Sequence, residues 1–165
     1  MKRSKLGFGL LLLIGWFSLR QEAYCQNVEA NKQLVSRYFD VIINQQKPEL
    51  LGEVFSEDFF YKSLEDGSEI KGIKQLYDFL PYFFKAFPDI HYTIDQIIAE
   101  GDKVVVQATA RGTHKAEFFG YPVSNNKIHV TEVFFYTVKA GKITESKRLL
   151  DLLHLWEQLK IKKAD

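Results

Sequence analysis

The chain has 165 residues, 46% of them hydrophobic and 15% aromatic, with a formal net charge of +1 and a single cysteine. One cysteine excludes an internal disulfide framework and a cysteine-based metal centre. The near-balanced charge excludes electrostatic attraction to nucleic acid as the basis of function.

Lys2, Arg3 and Lys5 form a basic start, and Leu6 to Leu19 is an almost unbroken apolar run. A bilayer span needs about 20 apolar residues, so this run has the length of an export signal's apolar segment. Ala23 and Cys25 place small side chains at the −3 and −1 positions of a cut before Gln26. The expectation is a signal peptide over residues 1–25, export to the periplasm or the medium, and one domain over residues 26–165. An uncleaved anchor would need a longer run, and a lipid anchor on Cys25 is disfavoured by bulky Tyr24. Residues 1–25 hold Lys2, Arg3, Lys5 and Arg20 against Glu22; their loss lowers the net charge by three, from +1 to −2.

Residues 29–46 carry Leu34, Val35, Tyr38, Phe39, Ile42 and Ile43 at helical spacing, which predicts an amphipathic helix. Pro48 ends that pattern and opens a short second helix running to about Phe55, as proline does at a first helical position. A short strand is expected over 58–61, then a turn at Glu65-Asp66-Gly67. Residues 71–87 read as an aromatic-rich helix that Pro81 should kink or interrupt. Residues 90–99, 103–112, 127–139 and 142–150 read as strands joined by turns at Gly101-Asp102 and Ala140-Gly141. A short helix over 152–160 closes the pattern. Helices followed by an antiparallel meander predict an α+β domain with helices on one face of a curved sheet.

The segment Arg111 to Pro122, RGTHKAEFFGYP, resembles the RGTHxGxFxGxxP signature of the SnoaL-like polyketide cyclases, also called ester cyclases. Phe55-Ser56-Glu57-Asp58-Phe59 resembles that family's FxxDF element, and Phe87-Pro88-Asp89 its FPD. Ala99 to Val104 matches AEGDxV, and Leu150 to Leu155 resembles the family's closing segment. The resemblance runs from about Asn31 to Leu159. It implies the nuclear-transport-factor-2-like cone: a curved antiparallel sheet wrapped around N-terminal helices, with an internal pocket. It also implies a cofactor-free cyclase or isomerase acting on a small apolar carbonyl compound.

The family's acid/base carboxylate corresponds to Asp151, and its signature-loop histidine to His114. The residues themselves leave a second role open for each. Asp is a favoured N-cap, and Asp151 precedes a helix at Leu152; His114 can instead hydrogen-bond its own loop. Tyr38, Phe55, Phe60, Tyr82, Phe83, Phe87, Phe118, Phe134 and Tyr136 exceed the needs of a small core, and a share of them is expected to line a hydrophobic pocket. Glu132 shares a strand face with Phe134 and Tyr136 and is expected to enter that pocket. Lys147, on the face of Asp151, is expected to pair with it or to hold an anionic substrate, or else to be a solvated edge residue. Two departures stand out: Glu145-Ser146-Lys147 replaces the family's Glu-His-Trp, and Phe60 to Ser63 lacks its usual histidine. His91, His114 and His129 show no ligand spacing, so no metal is expected. Two further readings remain open: a non-catalytic binder of a small hydrophobic ligand, and a homodimeric interaction module.

Overall fold

The computed structural model describes residues 27–160, so the expected signal segment lies outside the described residues. Helix α1 spans 27–37 and continues as a π-helical stretch, Tyr38–Ile43. Its buried face, Val35, Phe39, Ile42 and Ile43, follows the predicted spacing. A single 3₁₀ turn, Pro48–Leu50, leads into α2, Leu51–Val54. Strands β1, Phe55–Ser63, and β2, Glu69–Lys71, form a hairpin. Helix α3 follows, Ile73–Ala86. The four remaining strands are β3, His91–Glu100; β4, Lys103–Thr113; β5, Lys127–Lys139; and β6, Lys142–Leu150. Helix α4, Leu152–Leu159, packs on β5.

The six strands form one curved, unclosed sheet in the order β2-β1-β6-β5-β4-β3. The meander β3 to β6 is antiparallel throughout. The structure adds two features to the expectation. β1 is longer than its predicted core and lies parallel to β6, and β2 forms a short outer strand. Register shifts between Ile94 and Gln96, between Thr137 and Val138, and between Phe55 and Phe60 interrupt the ladders. Such irregularities add local twist and bend the strands. The Ala140-Gly141 turn has positive φ at both residues, 49° and 71°, the geometry of a two-residue hairpin connection.

Pro81 does not break α3; the helix runs through it. Pro81 is exposed, so water can replace the hydrogen bond its missing N–H removes.

The core lies between the concave sheet face and α1, α3 and α4. Phe39 is 1% exposed and sits in the middle, its ring centroid 5.4 Å from Phe134, 5.6 Å from Tyr92 and 6.3 Å from Tyr136. Among the described residues no helix is long and apolar enough to cross a membrane. Phe39→Ala is expected to destabilise the fold by about 3–5 kcal/mol, read as a lower denaturant midpoint in urea. A loss under about 1 kcal/mol would contradict this packing.

Candidate functional site

The concave face and the helices enclose a cavity of about 520 Å³. Of β4 only the small Ala110 lines it, whereas β5 offers Phe134 and Tyr136 to the same space. One end of the cavity is aromatic, with Phe79, Phe83, Phe87, Phe118 and Phe119 from α3 and the loop after β4. The other end holds Tyr38, Tyr61, Tyr92, Glu132, Tyr136, Ser146 and Arg148.

Glu132 is the centre of the polar end and is 3% exposed. Its Oε1 accepts a 2.7 Å hydrogen bond from the Tyr92 hydroxyl. Its Oε2 lies 3.7 Å from Arg148 Nη1 and has no hydrogen-bond partner among the described residues. Arg148 Nε is likewise buried without one, and the guanidinium lies 5.9 Å from the Tyr61 ring centre. Tyr92 is held by Asn44, just past the π-helical stretch. The Asn44 side chain donates to Tyr92 O at 2.9 Å and accepts from Tyr92 N at 2.7 Å. It thereby completes the free edge of β3, the last strand of the sheet. Leu150 N donates to Glu65, in the β1–β2 turn, which also accepts from Ser63.

Burial pushes the Glu132 carboxyl above the ordinary glutamate range; Arg148 and the Tyr92 hydroxyl oppose that push. Burial also raises the phenols of Tyr38, Tyr92 and Tyr136, helped by the charge of Glu132, and takes Tyr61 to about 12. All four are therefore neutral near pH 7 and available as donors. Arg148 is held above its usual value by Glu132 and the surrounding phenols, against the effect of its burial.

Of the residues expected at the site, Tyr38, Phe55, Phe83, Phe87, Phe118, Glu132, Phe134 and Tyr136 line the cavity. Four do not. Phe60 is displaced by the pleat: its neighbours Phe59 and Tyr61 face inward, and alternate strand residues face opposite ways. Lys147 faces away for the same reason, since Ser146 and Arg148 line the cavity; its ammonium pairs with Glu145 at 3.3 Å on the surface. Asp151 is exposed and caps α4, accepting from His154 N at 2.9 Å. His114 is fully buried behind the cavity wall, stacked on Phe87 at 5.5 Å, with Nδ1 3.0 Å from Ser124 Oγ. Burial holds it below the ordinary histidine range.

The signature segment proves to be mainly architectural. Asp89 accepts from Thr113 N and Thr113 Oγ1, both at 2.6 Å, and ties the end of α3 to the end of β4. A side chain at Gly112 would meet Ile90 Cδ1 at 3.2 Å. Glu117 accepts from Gly120 N, closing a turn in which Phe119 has φ 49°. Phe118 and Phe119 line the cavity, and Tyr121 stacks on Trp156 at 4.8 Å. Tyr92, Arg148, Tyr61 and Ser146 were not singled out for the site by the sequence. The one signal for Arg148 was its strand parity with Ser146 and Leu150.

A curved sheet folded about helices, with an internal cavity, is the nuclear-transport-factor-2-like architecture. The profile of the SnoaL-like polyketide cyclases matches residues 32–159, and the chain belongs to that family. A solved structure from Jannaschia sp. CCS1, assigned to the SnoaL-like polyketide cyclases, is 27% identical, with a TM-score of 0.75 over 81% of this chain and 93% of that one. A second, from Bacillus cereus ATCC 10987 and assigned as a polyketide cyclase, is 30% identical, with a TM-score of 0.65 over 79% and 80%. A Catenulispora acidiphila DSM 44928 protein of ketosteroid isomerase-like fold, solved with trimethylamine, shares the fold at 19% identity, with a TM-score of 0.66 over 78% and 93%. No curated protein matches the chain.

The raised carboxyl has a consequence for stability. The folded protein holds the Glu132 proton more tightly than the unfolded chain does. Its contribution is therefore greatest below the ordinary glutamate range and is lost as pH rises through the folded-state value. Urea melts between about pH 4 and 8 should show Glu132→Gln gaining on the parent protein as pH rises. A parallel pH profile for the two proteins would contradict the assignment.

Proposed function

We propose that this protein is an exported, cofactor-free acid–base catalyst of the cyclase or isomerase type, acting on a small apolar carbonyl compound inside the cavity. The observation that carries the reading is Glu132, the one buried carboxyl among the described residues, at the polar end of a largely apolar cavity that Asp66 and Glu69 line from exposed positions. Family membership supports the reaction class, and the basic-then-apolar start of the chain supports export.

In this reading Glu132 is the group that moves the proton. Its Oε2 takes a proton from the carbon next to a carbonyl, and the electron pair moves onto the carbonyl oxygen. The enolate carbon then attacks a second carbonyl of the same molecule, forming the ring bond, or is reprotonated at another position. Glu132 returns its proton to the new alkoxide or carbon, so the enzyme ends as it began. A carboxyl raised toward neutrality by burial suits such a task. Tyr92, fixed by Asn44, keeps Oε1 occupied and leaves Oε2 for the substrate. Asp151 has no part in this reading, because its carboxylate is engaged as a helix cap on the outside.

The test needs no knowledge of the natural substrate. Nonane-2,4-dione in heavy water reports proton abstraction as deuterium uptake, followed by mass spectrometry. Glu132→Gln should slow enzyme-dependent exchange by about 10²–10⁴-fold, while Asp151→Asn, which keeps a capping side chain, should leave it within about twofold of the parent. Unchanged exchange in Glu132→Gln, or its loss in Asp151→Asn, would overturn the assignment.

A second reading concerns assembly. Ile98, Val105 and Phe135 stand opposite one another on β3, β4 and β5, and Ile98 and Phe135 are 56% and 41% exposed. An apolar row across the outer face favours a homodimer through this sheet. Light scattering should give the dimer mass for the parent protein and the monomer mass for Phe135→Asp. A strict monomer for the parent ends this reading.

A further inference from the structure

The polar end of the cavity has an unbalanced set of hydrogen-bonding groups. Arg148 always carries its charge and presents five N–H donors in a planar fork. Among the described residues its only carboxylate neighbour at ion-pair distance is Glu132, at 3.7 Å, too far for a hydrogen bond. Arg148 Nε and Glu132 Oε2 are both buried without hydrogen-bond partners among the described residues, and both residues line the cavity. Buried polar atoms are nearly always partnered. Two orphans of opposite kind on adjacent strands, facing one apolar cavity, describe a site for a ligand that supplies what each lacks.

We propose that the polar end binds a planar pair of oxygens sharing one negative charge, a carboxylate or a 1,3-dicarbonyl enolate, on the Arg148 fork, with the ligand's apolar body in the aromatic end and a solvent proton taken up by Glu132. A delocalised oxygen pair matches the bidentate geometry of a guanidinium. Once protonated, Glu132 Oε2 has a hydrogen to donate to the ligand. The ligand's charge takes the carboxylate's place beside Arg148, so the total charge of the site is unchanged. The cavity of about 520 Å³ falls within the range of about 300–1,000 Å³ that holds small organic ligands.

The groups facing Glu132 agree with this exchange. From β3 comes Tyr92, from β6 Arg148, from β1 Tyr61, from the π-helical stretch Tyr38, and from its own strand Tyr136; Glu65 adds a more distant negative charge. Arg148 is the one cation among them. Burial already favours the protonated carboxyl, and an anion on Arg148 removes the main opposing influence.

The inference rests on the reading of the cavity as a substrate site, and it does not depend on turnover. Calorimetry of the full chain with decanoate, and with decanol as the neutral match, tests it. Titrations near pH 7 run in two buffers of different ionisation enthalpy. Decanoate should bind about tenfold or more tightly than decanol, with net proton uptake. Glu132→Gln should bind decanoate at least as well but without the uptake. Arg148→Gln should lose the preference for decanoate while keeping decanol. Nonane-2,4-dione distinguishes the two oxygen pairs: growth of its enolate absorbance on binding identifies an enolate site, and no growth restricts the site to carboxylates. Equal binding of decanoate and decanol, no proton uptake, or a preference that survives Arg148→Gln would each overturn the proposal. If Arg148→Gln does not fold, the two-buffer titration of the parent and Glu132→Gln decides alone. Decanoate binding with proton uptake but no Glu132-dependent exchange leaves this inference standing and removes the catalytic reading. Exchange in a protein that prefers decanol does the reverse.

Discussion

A sheet bent this far has an inside that its helices cover but do not fill. The bulges in β3 and at the end of β5 bend the ladder, and β4 gives the cavity wall only the small side chain of Ala110. Phe39 of the π-helical stretch meets Phe134 and Tyr136 of β5 edge to face, while Phe79 and Phe83 of α3, and Phe134 and Tyr136 themselves, stack. Both arrangements hold ring centres about 4.5–7 Å apart. The cavity is thus a consequence of how the sheet curves, and every side chain of the site takes its position from that curvature.

The signature loop after β4 serves the same shape. Asp89 binds Thr113 twice, Gly112 lets Ile90 come close, and Lys115 N donates to Ala86 O. These contacts fasten the C-terminal end of α3 to the rim of the sheet. His114, buried against Phe87 and Ser124, belongs to this fastening. What identifies the family in the sequence is therefore largely what fastens α3 to the sheet.

Placing a carboxyl and a guanidinium in this cavity is costly, because each loses hydration that a 3.7 Å ion pair only partly replaces. The protein limits the cost by supplying Tyr92 to one carboxylate oxygen and the Tyr61 ring to the guanidinium. It leaves the other carboxylate oxygen and Arg148 Nε unpaired. A cluster kept in this condition is poor as a stabilising device and well suited to a ligand that completes it.

By itself the sequence determined the local structure and the family. Apolar spacing marked α1, α3 and α4, turn residues marked the four-strand meander, and the segment 111–122 marked the SnoaL-like group. It also placed Glu132 beside Phe134 and Tyr136, because alternation on one long strand is legible without a partner. The parallel pairing of β1 with β6 was decided only by the tertiary structure, since nothing in a strand's own residues names its distant neighbour. The inward face of β6 was decided there too. Glu145 and Lys147 lie on one face, Arg148 on the other, so polarity does not reveal which is buried. The cap at Asp151 and the site around Glu132 separated for the same reason. Tyr92 and Glu132 are 40 positions apart, and only the curvature of the sheet brings a phenol, a carboxyl and the guanidinium of Arg148 to one point.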